Sequence, residues 1–146
     1  MKFSARHLLA SIWMATAAGV TVPAQACEFY AEGFTLIHPW ARPTGYDLRD
    51  IPVYFRLADV TQNDRLLRGS TSIAESVELR QSDDMDAPKL DSIEVQSADF
   101  VEFSPGHPHV VLRGINIPIQ WGRSYPMTLF FEKAGPIAVM ISVGAH

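Results

Sequence analysis

Two histidines and one methionine have the side chains that are best suited to bind a soft metal ion. His107 and His109 flank a proline, and Met85 lies in a polar loop formed by residues 81–88. Imidazole and thioether groups are neutral ligands that soft ions accept. The three residues form one site if the loop carries Met85 to His109. Alternatively, His107 is solvated in its proline-bounded turn and Met85 covers part of the core. The C-terminal His146 is a further candidate ligand.

Other chemistry is not indicated by the sequence. It contains no nucleophile and base at a recognisable spacing, no glycine-rich phosphate loop and no paired acid signature, so we expect no enzyme activity. Asp83, Asp84 and Asp86 lack the alternation and closing glutamate of a calcium loop, which favours a solvated acidic loop. Trp40 and Trp121 are predicted to be core or rim aromatics.

The N-terminal residues 1–26 have the pattern of a secretory signal peptide. Lys2, Arg6 and His7 precede an uncharged apolar run over residues 8–22, and a small-x-small cleavage sequence ends at Ala26. The apolar run is too short for a transmembrane helix, which needs roughly 20 residues. We therefore expect one exported domain, residues 27–146, located in the periplasm or secreted, with no transmembrane segment left after cleavage.

The expected domain is mildly acidic. Loss of Lys2 and Arg6 leaves 10 of the 12 basic residues beside all 16 acidic ones, a net charge of −6. Its basic residues are scattered, so the sequence shows neither a nucleic-acid footprint nor a basic amphipathic stretch for a membrane surface.

Cys27 is the only cysteine, which excludes an intramolecular disulfide. A cysteine at the first position after cleavage allows lipid attachment, but Ala24 and Gln25 stand where a lipoprotein signal usually carries a larger aliphatic and then a small residue. A free or oxidised thiol is one alternative, and a metal ligand is another.

The chain from residue 27 onward reads as a series of short strands. Alternating or continuous apolar runs are separated by Gly, Pro and polar turns, and no segment has a convincing helical period. The predicted strands cover residues 34–37, 52–57, 75–80, 92–95, 100–103, 109–113, 125–131 and 137–143. This spacing is typical of a β-sandwich.

Five segments, in this order, give the chain its resemblance to a known family. They are HPWARPT at 38–44, VYF at 53–55, VEL at 77–79, PIQWGRSYPMTL at 118–129 and FEKAG at 131–135. Together they resemble the PCuAC-type periplasmic copper chaperones, over almost the whole of residues 28–143. The resemblance implies an all-β, cupredoxin-like antiparallel β-sandwich. It also implies a Cu(I) carrier that metallates the copper centre of cytochrome oxidase, with a copper-accepting oxidase subunit or other periplasmic protein as partner.

The family binds Cu(I) with two histidines and two methionines, and most of these positions differ here. The resemblance places the ligands at Arg80, Leu90, His109 and Val111, of which only His109 is a ligand type. The charge of Arg80 is expected to oppose a bound cation. The sequence therefore predicts either a copper site rebuilt from His109, His107 and Met85, or a metal-free binding module that acts through a protein partner.

Overall fold

A computed structural model describes residues 27–84 and 86–144, and every regular element there is a β-strand. Within those ranges no helix is long and apolar enough to cross a membrane. The predicted signal peptide at 1–26, Met85 and His146 lie outside the described residues, so the expectations placed on them stay predictions.

Eleven strands build the described part of the chain. They are β1 (Glu28–Ala31), β2 (Phe34–Ala41), β3 (Ile51–Val60), β4 (Asp64–Ser70), β5 (Ala74–Arg80), β6 (Lys89–Leu90), β7 (Ile93–Val95), β8 (Ala98–Phe103), β9 (His109–Ile115), β10 (Ser124–Phe131) and β11 (Gly135–Val143). All eight predicted strands are present, most of them longer than predicted. β1, β4 and β6 were not predicted.

The strands follow one another in the order β6-β5-β9-β3-β2-β11-β10-β4-β7, with β1 beside β2 and β8 beside β3. β4 also packs against β5, where a Cβ on Gly69 would lie only 2.7 Å from Cγ1 of Val77. The two ends of the strand order therefore approach closely, and the sheet is nearly closed. Every pair is antiparallel except β2 with β11, which is parallel over Trp40 and Ala41. The all-β sandwich is thus confirmed, with one short parallel pair that joins β11 to β2.

Alternation along the strands directs the apolar side chains inward. Val53, Phe55 and Leu57 of β3 lie in the core, as do Val110 and Leu112 of β9. The intervening residues of both strands face away from the core, because successive side chains of a strand point to opposite faces. This second face carries the candidate site.

Within the HPWARPT segment, β2 changes the strand with which it pairs along one edge. His38 has φ 51°, and the register of β2 with β3 shifts between Ile37 and Trp40, which marks a β-bulge. Before the bulge β2 pairs with β1, and after it β2 pairs with β11. The amide of His38 donates to the carbonyl of Cys27 at 2.8 Å, so Cys27 is already tied to the folded domain.

Asp64 fastens the turn between β10 and β11. Its buried carboxylate accepts the amides of Lys133 and Ala134 at 2.8 and 3.0 Å, and also that of Arg65 at 2.7 Å. Gly135 has φ 75° directly after this turn, a conformation that glycine adopts without strain. The turn covers residues 132–134, and Gly135 is the first residue of β11.

Candidate metal-binding face

Four side chains from neighbouring strands form a row on the face away from the core. Trp40 lies opposite Tyr54 in the β2–β3 register, and His109 lies opposite Arg80 in the β9–β5 register. The Tyr54 ring lies 5.0 Å from that of Trp40 and 5.3 Å from that of His109, measured between centroids. We call Trp40, Tyr54, His109 and Arg80 the His109 row.

His109 is held in a form that suits metal binding. Its Nδ1 lies 2.7 Å from the carbonyl oxygen of His107, and only an N–H can bond to a carbonyl, so Nδ1 carries the proton. In the neutral ring Nε2 is then the acceptor. Metal-binding histidines usually donate their second N–H to a carbonyl or carboxylate in this way. The residue is 1% exposed and lies at the start of β9, beneath the neighbouring loops.

Asp83 joins these loops above His109. Its Oδ1 lies 3.6 Å from Nε2 of His109 and accepts a hydrogen bond from the Tyr54 hydroxyl at 3.5 Å. Its Oδ2 accepts the amide of Gly106 at 3.0 Å, which links the loop of residues 81–88 to that of residues 104–108. Sequence reasoning assigned Asp83 only to a solvated loop. It is half exposed, yet it contacts the candidate ligand directly.

Tyr54 titrates above the usual range because of this environment. Its burial beneath the loops raises its pKa, and the negative charge of Asp83 raises the pKa further. The positive charge of Arg42 acts in the opposite direction. Tyr54 is therefore a neutral hydrogen-bond donor at physiological pH.

His107 meets His109 through its backbone. Its ring is exposed, with Nδ1 3.1 Å from Oγ of Ser104 and 3.4 Å from the carbonyl oxygen of Pro105. Gly106 has φ 81° in the same turn, as expected for a tight Pro-Gly reversal. The structure thus places the side chain of His107 in its own turn. The predicted third ligand, Met85, lies outside the described residues.

The buried Arg80 forms an ion pair rather than a bare positive charge. Its Nη2 lies 2.8 Å from Oε2 of Glu78, and its Nη1 donates to the carbonyl of Ala87 in the loop of residues 81–88. Glu78 also lies within 3.6 Å of Nζ of Lys89 and 3.7 Å of Nε of Arg113. Glu78 offsets the repulsion that the sequence predicted between Arg80 and a cation.

The other two positions where the family resemblance implies ligands are Val111 and Leu90. Neither side chain has an atom that could bind a metal ion, and the two side chains point in different directions. Val111 is buried opposite Glu78, on the same face as His109. Leu90 lies opposite Leu79 and packs against the core, so its side chain points away from His109. In residues 27–84 and 86–144, no group of three or more His, Cys, Asp or Glu side chains could hold a metal ion.

A cleft of about 250 Å³ adjoins the row between β2, β3 and β8. His38, Trp40 and Tyr54 line this cleft. Arg56 and Glu102, paired at 2.6 Å, line it as well. The cleft gives this face a concave aromatic surface beside His109.

The strand order and this face define the protein as a PCuAC-like domain with a cupredoxin-like β fold. The copper-bound PCuAC domain of PmoF2 is 27% identical and superposes with a TM-score of 0.70, over 82% of this chain and 98% of that one. The Cu(I) form of DR1885 from Deinococcus radiodurans is 19% identical, with a TM-score of 0.62 over 86% and 85% of the two chains, and shows the same fold.

The chain belongs to the LpqE-like lipoprotein family. The sequence pattern of this family matches residues 34–143. No curated protein sequence matches it. The resemblance to PCuAC domains and the cupredoxin-like fold are both confirmed.

Proposed function

We propose that this protein is an exported, copper-chaperone-like carrier of Cu(I). The observation that carries the proposal is the His109 imidazole, whose Nδ1–H is fixed by the His107 carbonyl and whose Nε2 faces the loop of residues 81–88. The family and the copper-bound domain of PmoF2 support the same role.

The chemistry of the remaining donors sets the type of site. A single imidazole does not hold Cu(I) tightly, so further soft ligands must come from the loops that cover His109. Met85 and the ring of His107 are the candidates of suitable type, and both belong to those loops. Loop-borne neutral ligands suit a carrier, because a small loop movement breaks the coordination and releases the ion. The acceptor we propose is an oxidase subunit or another periplasmic protein, and the protein itself is not an enzyme.

A competition titration with Cu(I) and a chromophoric chelator tests this proposal. We expect one copper per chain, with binding lost in His109→Ala and weakened in His107→Ala and Met85→Leu. His38→Ala is the matched control, since His38 belongs to the β2 bulge outside the row, and it should bind copper like the unmodified protein. A chain that does not compete with the chelator, or that binds equally after His109→Ala, would contradict the proposal.

A metal-free binding module is the second candidate, and a different observation favours it. The Arg80–Glu78 ion pair occupies the first ligand position, where both side chains are almost fully buried. The aromatic cleft beside Trp40 and Tyr54 offers a surface for a protein partner. This candidate predicts no change of melting temperature with Cu(I). It also predicts that a defined partner is recovered by cross-linking and lost in Trp40→Ala. Stoichiometric copper binding without such a partner would reject it.

The family description also bears on export. It names lipoproteins, which favours lipid attachment at Cys27 over the free thiol and metal-ligand alternatives. We therefore propose that the chain is exported and that Cys27 is acylated.

A further inference from the structure

One end of the sandwich is formed by two loops that are bonded to each other. Residues 42–50 connect β2 to β3, and residues 116–123 connect β9 to β10. The amide of Thr44 donates to the carbonyl of Ile119 at 3.0 Å, and the amide of Ile119 lies 3.4 Å from Oγ1 of Thr44. We call these two loops the loop end.

The loop end exposes large apolar side chains close together. Tyr46 is 91% exposed, Trp121 64%, Leu48 55% and Ile117 41%. Tyr46, Leu48 and Ile117 line one shallow depression of about 100 Å³. Trp121 belongs to the same pair of loops, where the sequence predicted a core or rim aromatic. Tyrosine and tryptophan are the residues enriched at membrane–water interfaces, because each has an apolar ring and a polar tip.

Charge is distributed unevenly between the loop end and the rest of the domain. The two loops carry three arginines and two aspartates: Arg42, Arg49, Arg123, Asp47 and Asp50. The other parts of residues 27–146 carry seven basic and fourteen acidic residues. The far end of β5 leads into the loop with Asp83, Asp84 and Asp86. An anionic surface would therefore attract the loop end and repel the opposite end.

Cys27 lies on the side of the domain that carries the loop end. β2 runs toward the loop end, and β1 is antiparallel to β2, so the start of β1, where Glu28 pairs with Ile37, lies nearer to the loop end than its last residue Ala31 does. Sγ of Cys27 lies 3.9 Å from Oγ of Ser142, whose neighbour Val143 accepts the amide of Gly122. A membrane attachment at Cys27 would therefore be made on the side of the domain near Trp121.

We propose that the loop end rests on an anionic lipid bilayer, with Trp121, Tyr46, Leu48 and Ile117 in the headgroup region. Exposed apolar side chains, a local positive balance and the position of Cys27 all point to the same occupant. The sequence contains no amphipathic stretch for this purpose, because the surface arises only when the fold joins the two loops. The inference does not depend on copper binding, and it leaves the loop of residues 81–88 facing away from the bilayer.

Quenching of tryptophan fluorescence by brominated lipid tests the proposal. The full chain, exported and processed in bacteria, is reconstituted into protein-free vesicles of phosphatidylethanolamine and phosphatidylglycerol with brominated acyl chains. Trp40→Phe leaves Trp121 as the only tryptophan of residues 27–146, and Trp121→Phe leaves Trp40. We expect strong quenching in the first variant and little in the second. Absence of Trp121 quenching, or equal quenching of both, would overturn the proposal.

Partitioning of further variants identifies the surface that makes the contact. Trp121→Ser should weaken vesicle partitioning about tenfold, because the variant loses the apolar ring that the bilayer would remove from water. Tyr30→Ser and Phe100→Ser are matched controls, since both aromatics are exposed but lie on β1 and β8, outside the loop end. Thermal melting checks that each variant is folded. Binding to native membranes but not to protein-free vesicles would reject a lipid surface and indicate a membrane protein instead.

Discussion

Arg80 and His109 stand opposite each other in the β5–β9 register, where the family resemblance implies two histidine ligands. Opposite residues of antiparallel strands have Cβ atoms about 4.5–5.5 Å apart, close enough for two imidazoles to share one ion. The framework for a two-histidine site is therefore still present, and the side chain at position 80 decides whether it is used.

Arg80→His should strengthen Cu(I) binding by about tenfold or more, because it adds an imidazole and removes a cation. It should also lower the free energy of unfolding by about 3 kcal/mol, since Glu78 loses its buried partner. Chelator competition and thermal unfolding measure the two effects. Arg80→Gln removes the charge without supplying a ligand. Equal copper affinity in the two variants would show that position 80 does not face the ion.

The raised pKa of Tyr54 predicts a specific dependence of stability on pH. A group whose pKa is higher in the folded state contributes stability that is fully present below its unfolded value near 10 and is lost as the pH rises through the folded value. The free energy of unfolding should therefore fall above pH 10, and this fall should be smaller in Tyr54→Phe. Asp83→Asn should leave part of it, because burial is the largest single cause of the raised pKa and is retained in this variant. Identical pH profiles for Tyr54→Phe and the unmodified protein would contradict this.

At the residue scale, the sequence alone identifies His109 as a candidate ligand but does not predict the residues that surround it. The histidine is recognisable by type and by its place in the family pattern. Asp83 and Tyr54 come from a loop and from β3, and they meet His109 only through the register of β3 with β9 and the docking of two loops. No local pattern encodes those contacts. Glu78 was predicted only as a strand residue, although it compensates Arg80.

At the element scale, alternation predicted the strands with a clear apolar face and missed the others. β4 contains Leu66 and Leu67 side by side, and its register with β10 shifts at Phe130, so its alternation is interrupted. β6 has only two residues. β1 is short and exposes Glu28 and Tyr30, which leaves little apolar signal. Such elements are set by their partners rather than by their own sequence.

The turn between β10 and β11 depends on a single buried carboxylate. Asp64→Ala leaves the amides of Lys133 and Ala134 without their acceptor, so we expect a loss of about 3 kcal/mol of unfolding free energy. Denaturant unfolding measures it. Asp91→Ala, at an exposed position between β6 and β7, should change stability by less than about 0.5 kcal/mol. A loss no larger than this control would mean that the turn holds without Asp64.

At the scale of the whole molecule, the proposed acylation of Cys27 would determine where the domain is found. If Cys27 is acylated, the protein fractionates with membranes, and Cys27→Ser releases it into the soluble fraction. Mass spectrometry of the recovered N-terminus, together with fractionation, measures this. Ser142→Ala is the matched control, because it removes the side-chain contact of Cys27 and leaves the cysteine in place. An unmodified cysteine in soluble protein would favour the free thiol instead.

The short distance from Cys27 to β1 has a mechanical consequence. β1 begins at Glu28, and the carbonyl of Cys27 accepts a hydrogen bond from the amide of His38. No flexible linker therefore lies between an attachment at Cys27 and the folded sheet. A pull on that point while the far end is held by an acceptor acts along β1, at right angles to its hydrogen bonds with β2. These bonds then bear the load together rather than one after another. The arrangement resists shear, and an anchored domain could engage and leave its partner without β1 peeling from the sheet.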